Sequence, residues 1–292
     1  MGKKARDKEN PGAPDERKGG GSKRGPATAA PAPKYAFPEA DRTVQLFAPP
    51  VLPPPLEGGG ACEEADVAEE VESSQLRDAE PRKVQLNHLP LLKHPVFISA
   101  IDNFLSQDEC RRWIDWGLKT GFEEAKQKQT AEMAFRDNGR IEFESDEIAQ
   151  TIWLRLRPFV PDAVGSASAT RRALGCSPRI RVYRYVKGQR FGQHVDGSRD
   201  EPSLGGRTHF TVLIYLNGGD QDSLENQLKG GETVFWKDRG GNPTTVALSF
   251  PPTRGMCMFH GHGDECMIHE GATVLDGVKY VLRTDAVYEH DP

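Results

Sequence analysis

Arg179-Ile-Arg-Val-Tyr-Arg-Tyr-Val-Lys-Gly-Gln-Arg-Phe-Gly-Gln-His-Val-Asp196 is the stretch whose reading decides the fold. Two short extended runs, near 180–186 and 191–195, are separated by a glycine-containing break, and the second ends in His194-Val195-Asp196. On extended backbone residues i and i+2 share a face, so the His194 imidazole and the Asp196 carboxylate can converge on one point. Two ligands do not make a metal site. The best third is His269, separated from Asp196 by 72 residues, positions 197 to 268.

Downstream the same pattern repeats, with extended runs near 209–216, 232–236, 244–248, 256–260, 267–274 and 278–288 set off by Gly, Asn, Asp and Pro. About eight strands with no helix between them for a βαβ unit predict a mainly antiparallel sheet. The fold class expected is mainly β (α+β), a double-stranded β-helix or jelly roll over 179–292 with supporting helices ahead of it in sequence. The support region is placed at 89–178. Val96-Phe97-Ile98 reads as a short strand, and Ser106 with Glu109 three residues on forms a capping box before a helix, flanked by Leu105 and Cys110 at the staple positions. Cys110, Trp113, Ile114 and Gly117 recur at helical spacing, which turns Trp113 and Trp116 toward packing rather than chemistry. A second helix carries Ile148, Ala149, Ile152, Trp153 and Leu156 on one face until Pro158 ends it. Between the helices, 135–140 is polar and turn-rich, either a substrate-side loop or a solvated connection.

Upstream lies a different composition. Eleven of the 22 prolines precede residue 56, glycine runs stand at 19–21 and 58–60, and no apolar periodicity survives between them. Such a segment cannot bury enough surface to offset its ordering entropy, so residues 1–88 are expected to form a disordered tail. Residues 1–25 carry eight Lys or Arg against four Asp or Glu, whereas 57–80 carry nine acidic side chains against Arg77 alone. The rest is nearly balanced within a net charge of −5, which offers no electrostatic argument for nucleic acid or membrane binding. Five cysteines without Cys-x-x-Cys spacing argue for a reducing compartment. With no apolar run of spanning length, a cytoplasmic or nuclear location is expected.

Two imidazoles and one carboxylate on one face of an octahedral ion leave three positions open, the arrangement that suits a non-haem Fe(II) oxygenase. A competing set exists. Cys257, His260, His262, Cys266 and His269 crowd a short segment, and sulfur with imidazole is what structural zinc prefers, although Cys257 and His260 would project to opposite faces of a strand. Ten residues after His269 stands Lys279, with Arg283 on the same strand face; an anion would be the natural partner for either in an apolar setting.

The runs Arg-Tyr-x-x-Gly-Gln-x-Phe-x-x-His-x-Asp (184–196), Thr-Val-Leu-Ile-Tyr-Leu-Asn (211–217), Gly-Gly-Glu-Thr-x-Phe (230–235) and His-Glu-Gly-x-x-Val-x-x-Gly-x-Lys-Tyr (269–280) resemble the prolyl 4-hydroxylase-like branch of the 2-oxoglutarate and Fe(II)-dependent oxygenases. The resemblance spans about residues 95–290. It implies His194, Asp196 and His269 as iron ligands, Lys279 on the far carboxylate of 2-oxoglutarate with Arg283 as second choice, and Tyr185 lining the cosubstrate pocket. Phe191 departs from a tyrosine that prolyl hydroxylases often place there to help hold 2-oxoglutarate. Thr211 shares a strand face with Leu213 and Tyr215 and could add a hydroxyl.

The activity implied is a dioxygenase that couples decarboxylation of 2-oxoglutarate to succinate and CO2 with hydroxylation of a peptidyl, prolyl-type substrate. Its requirements would be Fe(II), O2, 2-oxoglutarate and L-ascorbate as reductant. A non-catalytic jelly-roll binding module is the alternative of a different class. The loop 197–207 and the insertion 218–229 are expected to rim the pocket.

Overall fold

The computed structural model describes residues 81–84, 96–130, 133–166, 168–219, 227–237 and 245–290. In chain order it contains β1 (Pro81–Val84), β2 (Ile98–Ile101), α1 (Gln107–Thr120), β3 (Glu123–Gln127), β4 (Arg136–Glu144) and α2 (Asp146–Leu156). These are followed by β5 (Ala163–Ser166), β6 (Ala169–Cys176), β7 (Arg179–Val186), β8 (Arg190–His194), β9 (Asp200–Glu201) and β10 (Gly206–Tyr215). The last part holds β11 (Lys229–Gly230), β12 (Thr233–Trp236), β13 (Val246–Phe250), β14 (Cys257–Gly261), β15 (His269–Gly271), β16 (Val274–Asp276) and β17 (Val278–Glu289).

One curled sheet runs β1-β2-β14-β10-β17-β7-β4-β8-β15-β12-β13, and neighbours along it pair antiparallel. This is the jelly roll that the strand count predicts. Period-2 alternation sorts its side chains. Ile180 and Val182, Phe210, Val212 and Ile214, Cys257 and Phe259, and Leu282 and Ala286 face the larger core, which the helices complete. The intervening positions, among them Tyr183 and Tyr185, Thr211 and Leu213, His260, and Lys279 and Arg283, line a cavity on the other side. The sheet thus separates a dry support face from a polar working face.

The helices form as their sequence signals require. Ser106 Oγ accepts the Glu109 amide at 3.2 Å, and Glu109 Oε2 accepts the Ser106 amide at 2.8 Å, so the capping box is complete. Glu109 also takes the Arg155 guanidinium at 2.6 Å, tying α1 to α2 through a buried ion pair. Ser145 caps α2 by accepting the Ile148 amide at 3.2 Å. Cys110, Trp113, Ile148, Ala149, Ile152 and Leu156 are buried against the sheet, and Trp116 packs edge-on to Phe143. Both tryptophans serve packing.

Two expectations change. The polar stretch 135–140 is no loop: from Arg136 it is β4, whose backbone pairs with β3 on one side and β7 on the other. Partners supplied by distant sequence satisfy its amides and carbonyls, so turn-like composition does not prevent a strand. Gly139 suits that place, because a Cβ there would lie 2.9 Å from Phe122 Cβ. The run 267–274 divides into β15, paired with β8 and β12, and β16, paired with β11. Residues 1–80 and the 220–226 part of the 218–229 insertion lie outside the described residues, while Pro81–Val84, inside the stretch assigned to the tail, pairs with β2.

Candidate metal and cosubstrate site

Register places the histidines. β8 and β15 pair so that His194 stands opposite His269, their ring centroids 4.2 Å apart. Asp196, two residues beyond the end of β8, turns back between them. His194 Nε2 is 3.5 Å from Asp196 Oδ1 and His269 Nε2 is 3.9 Å from Oδ2, and the three candidate ligand atoms all lie within 4.8 Å of one another.

Each imidazole is aimed by its own backbone neighbourhood. His194 Nδ1 bonds the Gly192 carbonyl at 2.8 Å and His269 Nδ1 bonds the Met267 carbonyl at 3.0 Å. A proton on Nδ1 donated to a carbonyl leaves the Nε2 lone pair toward the pocket, which is the tautomer a metal needs. Burial pushes the His194 pKa down, with His269 adding to the shift, to about 3. Burial likewise lowers that of His269. Both rings are neutral at physiological pH and so competent as ligands.

Asp196 is the most constrained member. Its amide meets Cys266 Sγ at 3.4 Å, its carbonyl accepts the Gly263 amide at 2.8 Å, and its Oδ2 accepts Thr211 Oγ1 at 2.6 Å and the Arg283 guanidinium at 3.1 Å. Burial alone would raise its pKa, but Arg283, then His194, His269 and His260, hold it well below the usual carboxylate range. Oδ1 receives none of these donors and faces His194.

The two candidate anion partners part company. Lys279, opposite Tyr185 in register, lies between the Tyr185 and Tyr215 rings, 5.6 and 5.4 Å from their centroids, and donates to the Gly231 carbonyl at 2.6 Å. Gly231, at φ +74°, allows that approach, since a Cβ there would meet Lys279 Cδ at 3.1 Å. No direct ion pair joins Lys279 to a carboxylate among the described residues; burial lowers its pKa to about 8, against the opposing influence of the Glu232 carboxylate. Arg283 also reaches the cavity, but its guanidinium is held by Asp196, Thr211 and Asp285.

Residues 180–284 match the 2OG-Fe(II) oxygenase superfamily. Over those residues the chain is similar to that superfamily. The family's chemistry uses Fe(II), 2-oxoglutarate and O2. Among solved structures, a viral collagen prolyl hydroxylase from Paramecium Bursaria Chlorella virus-1, in its 2OG complex, is similar at 20% identity over 66% of this chain and 96% of that one, with a TM-score of 0.43. A Pseudomonas putida prolyl-4-hydroxylase aligns at 14% identity over 65% of this chain and 91% of the other, TM-score 0.38. A Trichoplax adhaerens prolyl hydroxylase in complex with a hypoxia inducible factor oxygen degradation domain peptide fragment aligns at 16% over 65% and 83%, TM-score 0.42. No curated protein matches.

The residues present fit an oxygenase metal. Two neutral imidazoles with Nε2 directed inward and one ionised carboxylate form the donor set expected for Fe(II) with positions left open. Of the zinc set only His260, Cys266 and His269 come together, with one ligand atom of each within 4.8 Å of the others. Cys257 lies on the support face in the larger core, and His262 Nε2 is 2.8 Å from Thr211 Oγ1. Cys266 Sγ lies 3.8 Å from His260 Nδ1 and 3.7 Å from His269 Nδ1, but those nitrogens already bond the carbonyls of Gly261 and Met267. The ring nitrogens that face the Cys266 thiol are already engaged by carbonyls.

The parts played by three cavity residues, Phe191, Arg136 and His260, were not legible in the sequence. Phe191 stacks on His194 at 3.7 Å between centroids, and the Arg136 guanidinium lies 3.9 Å from the Phe191 ring centre. Two groups so close to one ring centre must take opposite faces, so Phe191 is sandwiched and helps hold the His194 ring. Only the cross-strand pairing of Arg136 with Phe191 brings them together, and no local pattern announces it. His260, fully buried, turns Nε2 toward Asp196 Oδ2 at 3.8 Å, and that nitrogen has no hydrogen-bond partner. Thr211, foreseen as a source of a hydroxyl, places it on the Asp196 carboxylate.

Proposed function

We propose that this chain is a 2-oxoglutarate- and Fe(II)-dependent dioxygenase that hydroxylates a peptidyl, prolyl-type side chain. In this reading His194, Asp196 and His269 hold the metal. The observation that carries it is the convergence of two imidazoles and one carboxylate in a cavity that also holds a buried lysine with no direct ion pair among the described residues. Fe(II) with 2-oxoglutarate and O2 would supply the chemistry, decarboxylation of 2-oxoglutarate to succinate and CO2 with one oxygen atom going to a C–H bond.

The chain's own residues do the rest. The Gly192 and Met267 carbonyls fix both imidazole tautomers, and Thr211 with Arg283 hold Oδ2 of Asp196 so that Oδ1 is presented to the metal. Lys279 takes the far carboxylate of 2-oxoglutarate, in a setting where a charge-assisted bond is stronger than in water. Tyr185 and Tyr215 wall the lysine and exclude solvent from it. Phe191 contributes a stacking face where a tyrosine would contribute a hydroxyl, so cosubstrate anchoring rests on Lys279. The prolyl-type substrate and ascorbate as reductant come from the sequence resemblance, and a reducing cytoplasmic or nuclear setting accords with the cysteine pattern.

Purified protein incubated with Fe(II), ascorbate, 2-oxoglutarate and a proline-rich peptide library is expected to form succinate and an oxidised peptide. His194→Ala and His269→Ala should lose both products. Succinate formation that persists in His194→Ala, or that needs no iron, would overturn the assignment; succinate without any peptide gaining oxygen would overturn the substrate class alone.

A further inference from the structure

Arg283 is the cation nearest to the proposed metal ligands, and its surroundings are unusual. Its guanidinium contacts Asp196 Oδ2 at 3.1 Å, Thr211 Oγ1 at 3.0 Å and Asp285 Oδ1 at 3.2 Å. Asp285 is itself fully buried and also receives Arg181 and, at 3.1 Å, Arg199. Two carboxylates, Asp196 in the cavity and Asp285 behind it, therefore face three guanidiniums, and Lys279, acted on by the Glu232 carboxylate, and Arg136 line the cavity with Arg283. Before any ligand enters, the pocket carries an excess of positive charge beside a proposed site for a divalent cation. β17 fixes this arrangement, because Arg283 sits across from Leu213 on β10 and Arg181 on β7 and cannot swing away without breaking the Asp285 contacts.

We propose that Arg283 is a positioning residue that acts as an electrostatic counterweight: it holds Asp196 in place yet opposes metal binding, and it favours the dianionic cosubstrate. The inference rests on the metal and cosubstrate reading given above. A divalent cation close to Arg283 meets repulsion in a low-dielectric setting, whereas a dicarboxylate meets attraction. The two effects offset each other once both ligands are bound. The protein thus holds bare metal loosely and the metal with 2-oxoglutarate firmly. A merely structural role for Arg283 has a different signature, since a collapsed Asp196 would weaken both ligands together.

The test uses the full chain and two separate titrations, Mn(II) alone followed by electron paramagnetic resonance and 2-oxoglutarate alone on metal-free protein followed by calorimetry. In Arg283→Met the Mn(II) dissociation constant should fall and the 2-oxoglutarate constant should rise, each by about tenfold, within the usual range for interacting sites. Arg283→Lys, which keeps the charge, should stay near the wild type in both. If Arg283→Met does not fold, Arg283→Gln keeps hydrogen-bonding capacity toward Thr211 and Asp285 without the charge and carries the same test. Weakening of both ligands, or no change in either, would overturn the proposal. Wild-type protein that binds no Mn(II), or that binds it equally well as His194→Ala, would instead overturn the metal site itself.

Discussion

At the scale of single residues, the division of labour between Lys279 and Arg283 is the feature that sequence spacing leaves open. Both lie on one strand face after His269. Their partners separate them: Arg283 is claimed by two carboxylates, and Lys279 by a carbonyl and two aromatic rings. Lys279→Met is therefore expected to weaken 2-oxoglutarate by about ten- to a hundredfold, as loss of a hydrogen bond to a charged group would, while metal binding persists. Calorimetric titration of both ligands checks this. Burial lowers the Lys279 pKa to about 8, so in ligand-free protein the ammonium is lost as pH rises past that value, and 2-oxoglutarate affinity should fall above it. The stability consequence has the opposite direction. Between pH 8 and the ordinary lysine range the unfolded chain binds more protons than the native one, so this residue's contribution to stability improves as pH rises through that window. Denaturant midpoints of wild type and Lys279→Met across that range should converge at high pH.

At the scale of elements, the ion pair between Glu109 and Arg155 joins two helices whose only direct role is to back the sheet. Its geometry is close, at 2.6 Å, and both side chains are buried. Glu109→Ala would remove the α1 capping partner and leave Arg155 buried without its carboxylate, at a cost of about 3–5 kcal/mol. Ser106→Ala removes only the cap, at about 1 kcal/mol. Urea denaturation of the two variants should reproduce that ranking, with the ligand titrations of the folded fraction unchanged. The capping box and both helical faces are legible in sequence because they are local, set by residues three or four apart. Strand β4 is not, because its polar composition matches a loop and its pairing partners β3 and β7 are supplied by the rest of the chain.

At the scale of the whole molecule, the described cavity residues run from Arg136 to Arg283, and the composition of residues 1–80 is that of a tail. A chain beginning at residue 81 is expected to keep the ligand affinities and melting temperature of the full chain. Mn(II) and 2-oxoglutarate added together without oxygen should raise the melting temperature more than either alone, since ligands that bind the native state stabilise it by mass action, by about 2.7 kcal/mol at a hundredfold excess over the dissociation constant. Differential scanning calorimetry of the two chains, with and without ligands, measures both expectations.

The sequence by itself determined the strand-rich half, the antiparallel class, the two helices, the first with its capping box, and a His-x-Asp pair with a distant histidine. All of these depend on periodicity, turn chemistry or spacing within a segment, forces that act between near neighbours. The tertiary structure decided the rest. It set His194 across from His269, pointed both Nε2 atoms inward through backbone carbonyls, split the candidate anion partners between Lys279 and Arg283, and slid Phe191 between Arg136 and His194. The opposite-face placement of Cys257 and His260, by contrast, follows from strand alternation and was already legible in the sequence. The tertiary outcomes follow from strand order and register, which are fixed by burial of one sheet face against helices and by hydrogen bonding between segments far apart in the chain.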